Sequence, residues 1–215
     1  MSENTLKKLN LGSSSVHLNG WINMDHNKEY WDSAEKHAVG WGQPIDGGNI
    51  ATCDKPDDFG DVTNLHYEDN TFDEVRSSHV MEHIMCTKIN RAISEQFRVL
   101  KPGGKIRVIV PSIEMVIERY NNKEKYRSFW DRTRNDPGLY LESELKVPFE
   151  TDDEGMAGIL YLNGHHLNCF TTESLTAIMR RSGFIDISNC DDEEIGIPDG
   201  TVFDCSLRLK GFKPK

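Results

Sequence analysis

Apolar residues fall along this chain in two rhythms. Short aliphatic runs at Leu9 to Leu11, Trp21 to Met24, around Val75, and at Ile106 to Val110 have the length and β-branched character of strands. Between the last two, Ile89, Ala92, Ile93, Phe97 and Leu100 recur at helical spacing, which predicts a helix over 84–100 cut off by Pro102-Gly103-Gly104. A second helical face follows Pro111, with Ile113, Val116, Ile117 and Tyr120 on one side. A third carries Leu175, Ile178 and Met179 behind a cap at Thr171 or Thr172 and stops at Gly183, which can adopt the left-handed conformation. Phe184 to Ile187 and Val202 to Leu209 predict the closing strands. Strand, tight turn and strand at the start, then strand, helix and strand, is the order of an α/β protein with a Rossmann-like opening.

Two stretches lack either rhythm. Residues 26–60 mix Trp31 and Trp41 with Gly, Pro and Asp, and read as loop with one helical turn near Tyr30 to His37. Residues 112–164 are charged, with Tyr126, Phe129, Trp130 and Tyr140 interspersed, and are too long for a simple connection; a cap or substrate-binding insertion over an active site is the expectation. A chain of 215 residues otherwise fits one domain, 1–215, with a core that needs no covalent staples.

The formal net charge of −10 argues against a nucleic-acid backbone as substrate, because phosphate binding relies on a basic face. Five cysteines, with no C-x-x-C among them, suggest neither a disulfide framework nor a zinc ribbon and fit a reducing cytoplasm. No run of 18 apolar residues occurs, so the expectation is a soluble cytoplasmic protein without a membrane partner.

Gly12 stands at the end of the first strand, where a backbone approaches a ligand closely and the amides of Ser13 and Ser14 follow. Asp25 ends the second strand, where a carboxylate can accept from both hydroxyls of a ribose. The two are closer in sequence than the ~20 residues of a dinucleotide fold, which implies a truncated first helix and counts against a nicotinamide site. Ser77, Ser78 and His79 follow the strand ending near Arg76 and belong to the carboxyl end of the sheet, where open α/β folds bind ligands.

The order of Asp61-Val62-Thr63-Asn64-Leu65, Phe72-Asp73-Glu74-Val75, Glu82-His83 and Leu100-Lys101-Pro102-Gly103-Gly104 resembles the class I S-adenosylmethionine-dependent methyltransferases, in the broad group that contains the quinone-biosynthesis enzymes. That resemblance implies a Rossmann-like α/β fold: a seven-stranded sheet, mostly parallel with an antiparallel last strand, and helices on both faces. It implies S-adenosyl-L-methionine as cofactor, with Asp61 accepting from the adenine amine and the Val62 amide donating to a ring nitrogen. The acceptor would be a small metabolite or saccharide, methylated on oxygen or nitrogen.

Methyl transfer from a sulfonium asks mainly for alignment of nucleophile, methyl and sulfur, and needs a base only for a weakly acidic nucleophile. His166 or His165, in Gly164-His165-His166-Leu167-Asn168, is the expected proton acceptor, with His83 in reserve. His79-Val80-Met81-Glu82-His83 also matches the H-x-x-E-H pattern of inverted zinc peptidases. That site needs a continuous helix and a third ligand downstream, whereas a strand feeds directly into this segment, so no metal ligand set is expected. Rival readings are a nicotinamide oxidoreductase, although no Tyr is followed four residues later by Lys, and a non-catalytic cofactor-binding scaffold, suggested by Ser13-Ser14-Ser15 standing where motif glycines would. A P-loop is excluded, because the only Gly-Lys, Gly104-Lys105, is followed by Ile106.

Overall fold

The computed structural model describes residues 6–13, 16–26, 28, 50–52, 55–135, 148–161, 165–190 and 205–215. The chain opens with β1 (Lys8–Leu11), β2 (Val16–Leu18) and β3 (Ile22–Asp25), followed by β4 (Ile50–Thr52), β5 (Asp58–Phe59) and β6 (Phe72–Ser78). Two 3-10 turns, Met81–His83 and Cys86–Lys88, lead to α1 (Ile89–Val99) and the long β7 (Leu100–Pro111). Then come α2 (Ile113–Asn121), α3 (Arg127–Arg134), α4 (Asp152–Tyr161), α5 (Thr172–Arg181), β8 (Ile185–Asn189) and β9 (Ser206–Phe212).

Seven strands form one sheet in the order β5-β3-β1-β6-β7-β9-β8, and β2 pairs with β4 in a separate antiparallel ribbon. β9 runs antiparallel to both of its neighbours, while β5, β3, β1, β6 and β7 pair in parallel. The Rossmann-like, mostly parallel sheet with an antiparallel last strand and surrounding helices is thus as expected, with that last strand inserted between β7 and β8.

The pleat sends alternate residues of each strand to opposite faces. On one face Leu9, Leu11, Met24, Val75, Ile106, Val108 and Val110 join a continuous core with Ala92 and Ile93 of α1 and Leu175 and Met179 of α5. On the other, register places Asn23, Asn10, Arg76 and Arg107 in one row. All four are buried. Arg76 donates to Asn10 Oδ1 at 3.2 Å, Asn10 donates to Asn23 Oδ1 at 3.1 Å, and Arg107 Nε donates to Glu74 at 2.7 Å.

Several boundaries differ from the expected ones, each for a local reason. α1 begins at Ile89, not at residue 84: the Ile84 carbonyl, which a helix from 84 would offer to the Lys88 amide, accepts instead from the Asn168 side chain, and Lys88 N–H donates to Met85 O at 2.7 Å. β7 runs straight through Pro102-Gly103-Gly104, since Gly103 N–H donates to Lys213 O and Lys213 N–H to Gly104 O, at 2.9 Å each. The connection from β1 to β3 contains β2 and a turn among its described residues, not a truncated helix. Residues 12–21 are fewer than a helical crossover needs, and Asn23 fastens the turn by donating to Leu18 O and Trp21 O and accepting from Leu18 N–H. Ile117 is exposed; on α2 it is Val116 that is buried, against Trp130 and Phe129.

α5 starts as expected. Thr171 caps it, accepting from Ser174 N–H at 3.1 Å in a capping box, and it closes on Gly183, whose φ is 102°. α2, α3 and α4 share a core of their own, in which Val116, Phe129 and Trp130 meet Met156, Ile159 and Leu160. The aromatics Phe129 and Trp130 are therefore spent on packing rather than presented to a ligand. The turn expected at Tyr30 to His37, as well as Trp41, Tyr140 and Val202, lies outside the described residues.

Candidate functional site

The carboxyl ends of β1, β3 and β6 converge, as parallel pairing requires, and carry most of the expected site residues. Gly12 follows β1 with φ 63°. A Cβ there would stand 2.2 Å from Val80 Cγ2, so the residue that demands glycine is Val80 of the loop after β6 and not a bound ligand. Ser13 does not offer its amide either, because it donates to Met24 O at 3.1 Å. Its buried hydroxyl has no hydrogen-bond partner among the described residues. Ser14 lies outside the described residues.

Asp25 is nearly buried at the end of β3. Its Oδ1 accepts from His26 N–H at 2.6 Å and lies 3.1 Å from His26 Nδ1, and that hydrogen bond raises the His26 pKa above its ordinary value. Asp61 is exposed and folds back on its own turn: Oδ1 accepts from Thr63 N–H and Thr63 Oγ1, both at 2.8 Å. The Thr63 amide is the main reason its carboxyl sits below the usual range. Val62 beside it is buried.

Ser78 is the last residue of β6. His79 then turns the chain with φ 53°, its amide donating to Ile109 O at 2.9 Å. The imidazole is engaged at both nitrogens, Nδ1 with Glu82 Oε1 at 2.9 Å and Nε2 with Ser206 Oγ at 3.0 Å. His79 is thus held in the framework of the loop. Glu82 is fully buried, and its other carboxylate oxygen, Oε2, has no hydrogen-bond partner among the described residues.

The late histidine pair reaches this loop from far along the chain. Leu167 N–H and Asn168 N–H donate to Glu82 O at 2.7 and 3.2 Å, which seats residues 165–168 against the turn Met81–His83. His83 and His166 come to 5.0 Å between ring centroids, inclined at 68°. His83 Nδ1 lies 3.0 Å from His165 O, and His166 Nδ1 lies 3.0 Å from Ile159 O. Burial holds the His166 pKa below its ordinary value, so the ring is neutral near pH 7. The side chain of His165 is exposed. His83 stands in the 3-10 turn ahead of α1.

One group in this neighbourhood escaped sequence reasoning: Glu82 entered it as part of a motif and not as a buried charge. Ser77 stands near the carboxyl end of β6, and its buried hydroxyl also lacks a hydrogen-bond partner among the described residues. The orphaned hydroxyls of Ser13 and Ser77 and the carboxylate of Asp25 suit a ligand with hydroxyl and amino groups, as a nucleoside joined to an amino acid has. On that count the residues present fit S-adenosylmethionine.

The profile of the methyltransferase domain family matches residues 22–108. A solved S-adenosylmethionine-dependent methyltransferase of Methanosarcina mazei is similar at 16% identity and a TM-score of 0.54, over 99% of this chain and 94% of that one. Another, of Thermotoga maritima, is similar at 18% identity and 0.50, over 99% and 84%. A methyltransferase of Haloferax volcanii, solved in complex with the activator Trm112, is similar at 16% and 0.50, also over 99% and 84%. No curated protein sequence matches this chain. Residues 22–108 thus match a methyltransferase domain, and the chain shares the fold of these solved methyltransferases. In such a fold the carboxyl edge just described is where the sheet presents its ligand-binding loops. Among the described residues no helix is long and apolar enough to cross a membrane.

Proposed function

We infer that this protein transfers a methyl group from S-adenosyl-L-methionine to an oxygen or nitrogen of a small metabolite or saccharide in the cytoplasm. The observation that carries the reading is the gathering, at one edge of the sheet, of an acidic strand end at Asp25, orphaned buried hydroxyls at Ser13 and Ser77, and the histidines His83 and His166. The cofactor would be held by the Ser13 hydroxyl at the turn 12–14, by Asp25 at the ribose, by Asp61 and Val62 at the adenine, and by Ser78 along the strand edge, with His79 fixing the loop beside it. When bound it supplies an electrophilic methyl on a sulfonium, and the chain's own work is to align the acceptor and deal with its proton. His166 and His83, each with Nδ1 at a main-chain carbonyl, keep the Nε2 lone pair for that purpose, and His165 contributes its backbone carbonyl to the orientation of His83. The insertion 112–164, whose described part is α2 to α4, would be the cap over the acceptor.

Calorimetry tests the reading. S-adenosylmethionine and its demethylated product should both give heat and raise the melting temperature, as any ligand specific to the native state does. No heat with either compound, or heat with NAD instead, refutes it. Binding without turnover across hydroxylated and aminated small molecules would favour the non-catalytic scaffold, for which the displaced motif glycines speak.

A further inference from the structure

Glu82 presents a problem that the methyltransferase fold alone does not solve. It is the most deeply buried carboxylate among the described residues, with His79 Nδ1 on Oε1 and nothing on Oε2. A buried acceptor left unpaired costs about 1 to 3 kcal/mol, and more when charged. The atoms nearest to an answer are imidazole nitrogens. One carboxylate oxygen of Glu82 and one ring nitrogen each of His83 and His166 lie within 4.8 Å of one another, a spread that one ion can bridge.

Both imidazoles are oriented as metal-ligating histidines are. Each has Nδ1 at 3.0 Å from a main-chain carbonyl, so that Nδ1 carries the proton and Nε2 the lone pair. The carboxylate has its own outer partner in His79, which is fixed in turn by Ser206. This is not the peptidase arrangement that the H-x-x-E-H spacing suggests. His79 lies in the left-handed region ahead of a 3-10 turn and supports the set instead of joining it, and the third ligand comes from residue 166.

We propose that Glu82, His83 and His166 bind one divalent first-row transition ion, of the zinc or manganese class, whose open position takes the reacting hydroxyl of the methyl acceptor. Two imidazoles and one carboxylate suit such ions, and three protein ligands leave room for a fourth. The site stands on its own geometry. Its role rests on the methyl-transfer reading, which it narrows from oxygen or nitrogen to oxygen, and in it His83 and His166 act on the acceptor's proton through the ion. The ion acidifies the hydroxyl and its proton passes to water. The oxygen's electron pair then forms the bond to the methyl carbon and the sulfur keeps the pair of the bond that breaks, so nothing is oxidised or reduced.

The test uses the full chain, freed of metal with a chelator and titrated with Zn²⁺ by calorimetry and with Co²⁺ by visible absorption. One equivalent should bind, with the absorption of a nitrogen-and-oxygen site. Glu82→Gln and His83→Ala should each weaken binding by at least ~100-fold, and His79→Asn, which tolerates the left-handed backbone but cannot reach Glu82, by ~10- to 100-fold. His83 is exposed, so its variant keeps the test decisive if Glu82→Gln fails to fold. No binding by the wild type, or unchanged affinity in His83→Ala and in folded Glu82→Gln, overturns the site. Heat from S-adenosylmethionine with neither heat from Zn²⁺ nor new absorption from Co²⁺ overturns it too, and leaves methyl transfer standing. Metal binding without cofactor binding supports the site while removing the role given to it.

Discussion

The two faces of the central sheet are made from the same strands but held by opposite means. On the face covered by α1 and α5, the buried residues Leu9, Leu11, Val75, Ile106, Val108 and Val110 are apolar, and stability comes from area withdrawn from water. On the other face, the residues between them, Asn10, Arg76, Glu74 and Arg107, are buried as well, yet they are polar or charged. Such groups stabilise only while partnered. The apolar face should therefore lose stability in proportion to volume removed, and the polar face in proportion to partners orphaned. This pattern also departs from ordinary parallel sheets, whose central strands are apolar on both sides.

The sharpest way to break the comparison is Arg107→Met. It removes a guanidinium that is fully buried beside Glu74 and should cost about 3 to 5 kcal/mol in denaturant unfolding, the lower end being favoured because Lys105 also approaches Glu74 at 3.4 Å. Adding Glu74→Met should restore most of that loss, since no charge is then left buried without a partner. A double variant no more stable than the single would mean that this face too is held by shape. On the apolar face Ile106→Ala should cost about 2 to 5 kcal/mol with no second-site rescue.

Asp25 closes the polar face at its carboxyl end, so its removal should show up in binding more than in folding. Asp25→Ala is expected to weaken S-adenosylmethionine by roughly 1 to 3 kcal/mol in calorimetry, by depriving ribose hydroxyls of their acceptor. Wild-type affinity would withdraw that assignment. Thr171→Ala, at the cap of the helix that covers the apolar face, should cost ~1 kcal/mol in the same unfolding assay and leave cofactor affinity unchanged.

The smallest expected effect is a pH dependence on the solvent side of α1. The side-chain hydrogen bond from Arg98 is the main cause holding Glu95 below its ordinary value of 4.5. A depressed folded pKa contributes stability that is fully present above 4.5 and is lost as pH falls from there through the folded value. Urea midpoints of wild type and Glu95→Gln should differ at neutral pH and converge in acid. A difference that persists in acid would remove Glu95 from the account.

The sequence showed one face of this sheet far better than the other. Alternation and helical spacing located β1, β3, β7, α1 and α5, because burial against a helix imposes a period on apolar residues. Asn10, Asn23, Arg76 and Arg107 occupy positions that alternation would send to solvent, and only their mutual register makes them interior. The start of α1 was hidden for a related reason: the Ile84 carbonyl, which should have served its first turn, is taken by the Asn168 side chain, and no local pattern announces a partner so distant. At the site, Gly12 and Asp25 were legible from their places after strands, whereas the reason for Gly12, the Val80 side chain, was not. His83 and His166 were visible as chemistry. Their meeting around Glu82 is a property of the fold.

The placement of β9 has a bearing on how the protein is made. A ribosome releases β7 first, then everything from 112 to 205, and only afterwards the strand that pairs with β7 along its whole upper half. Throughout that interval the apolar run Ile106 to Val110 presents an unpaired edge, the kind of surface on which nascent chains stick to one another. β8 emerges before the strand it rests on and has nowhere in the sheet to go. Translation therefore delivers these strands in an order that the sheet cannot use, and this side of the molecule must be assembled in one late step.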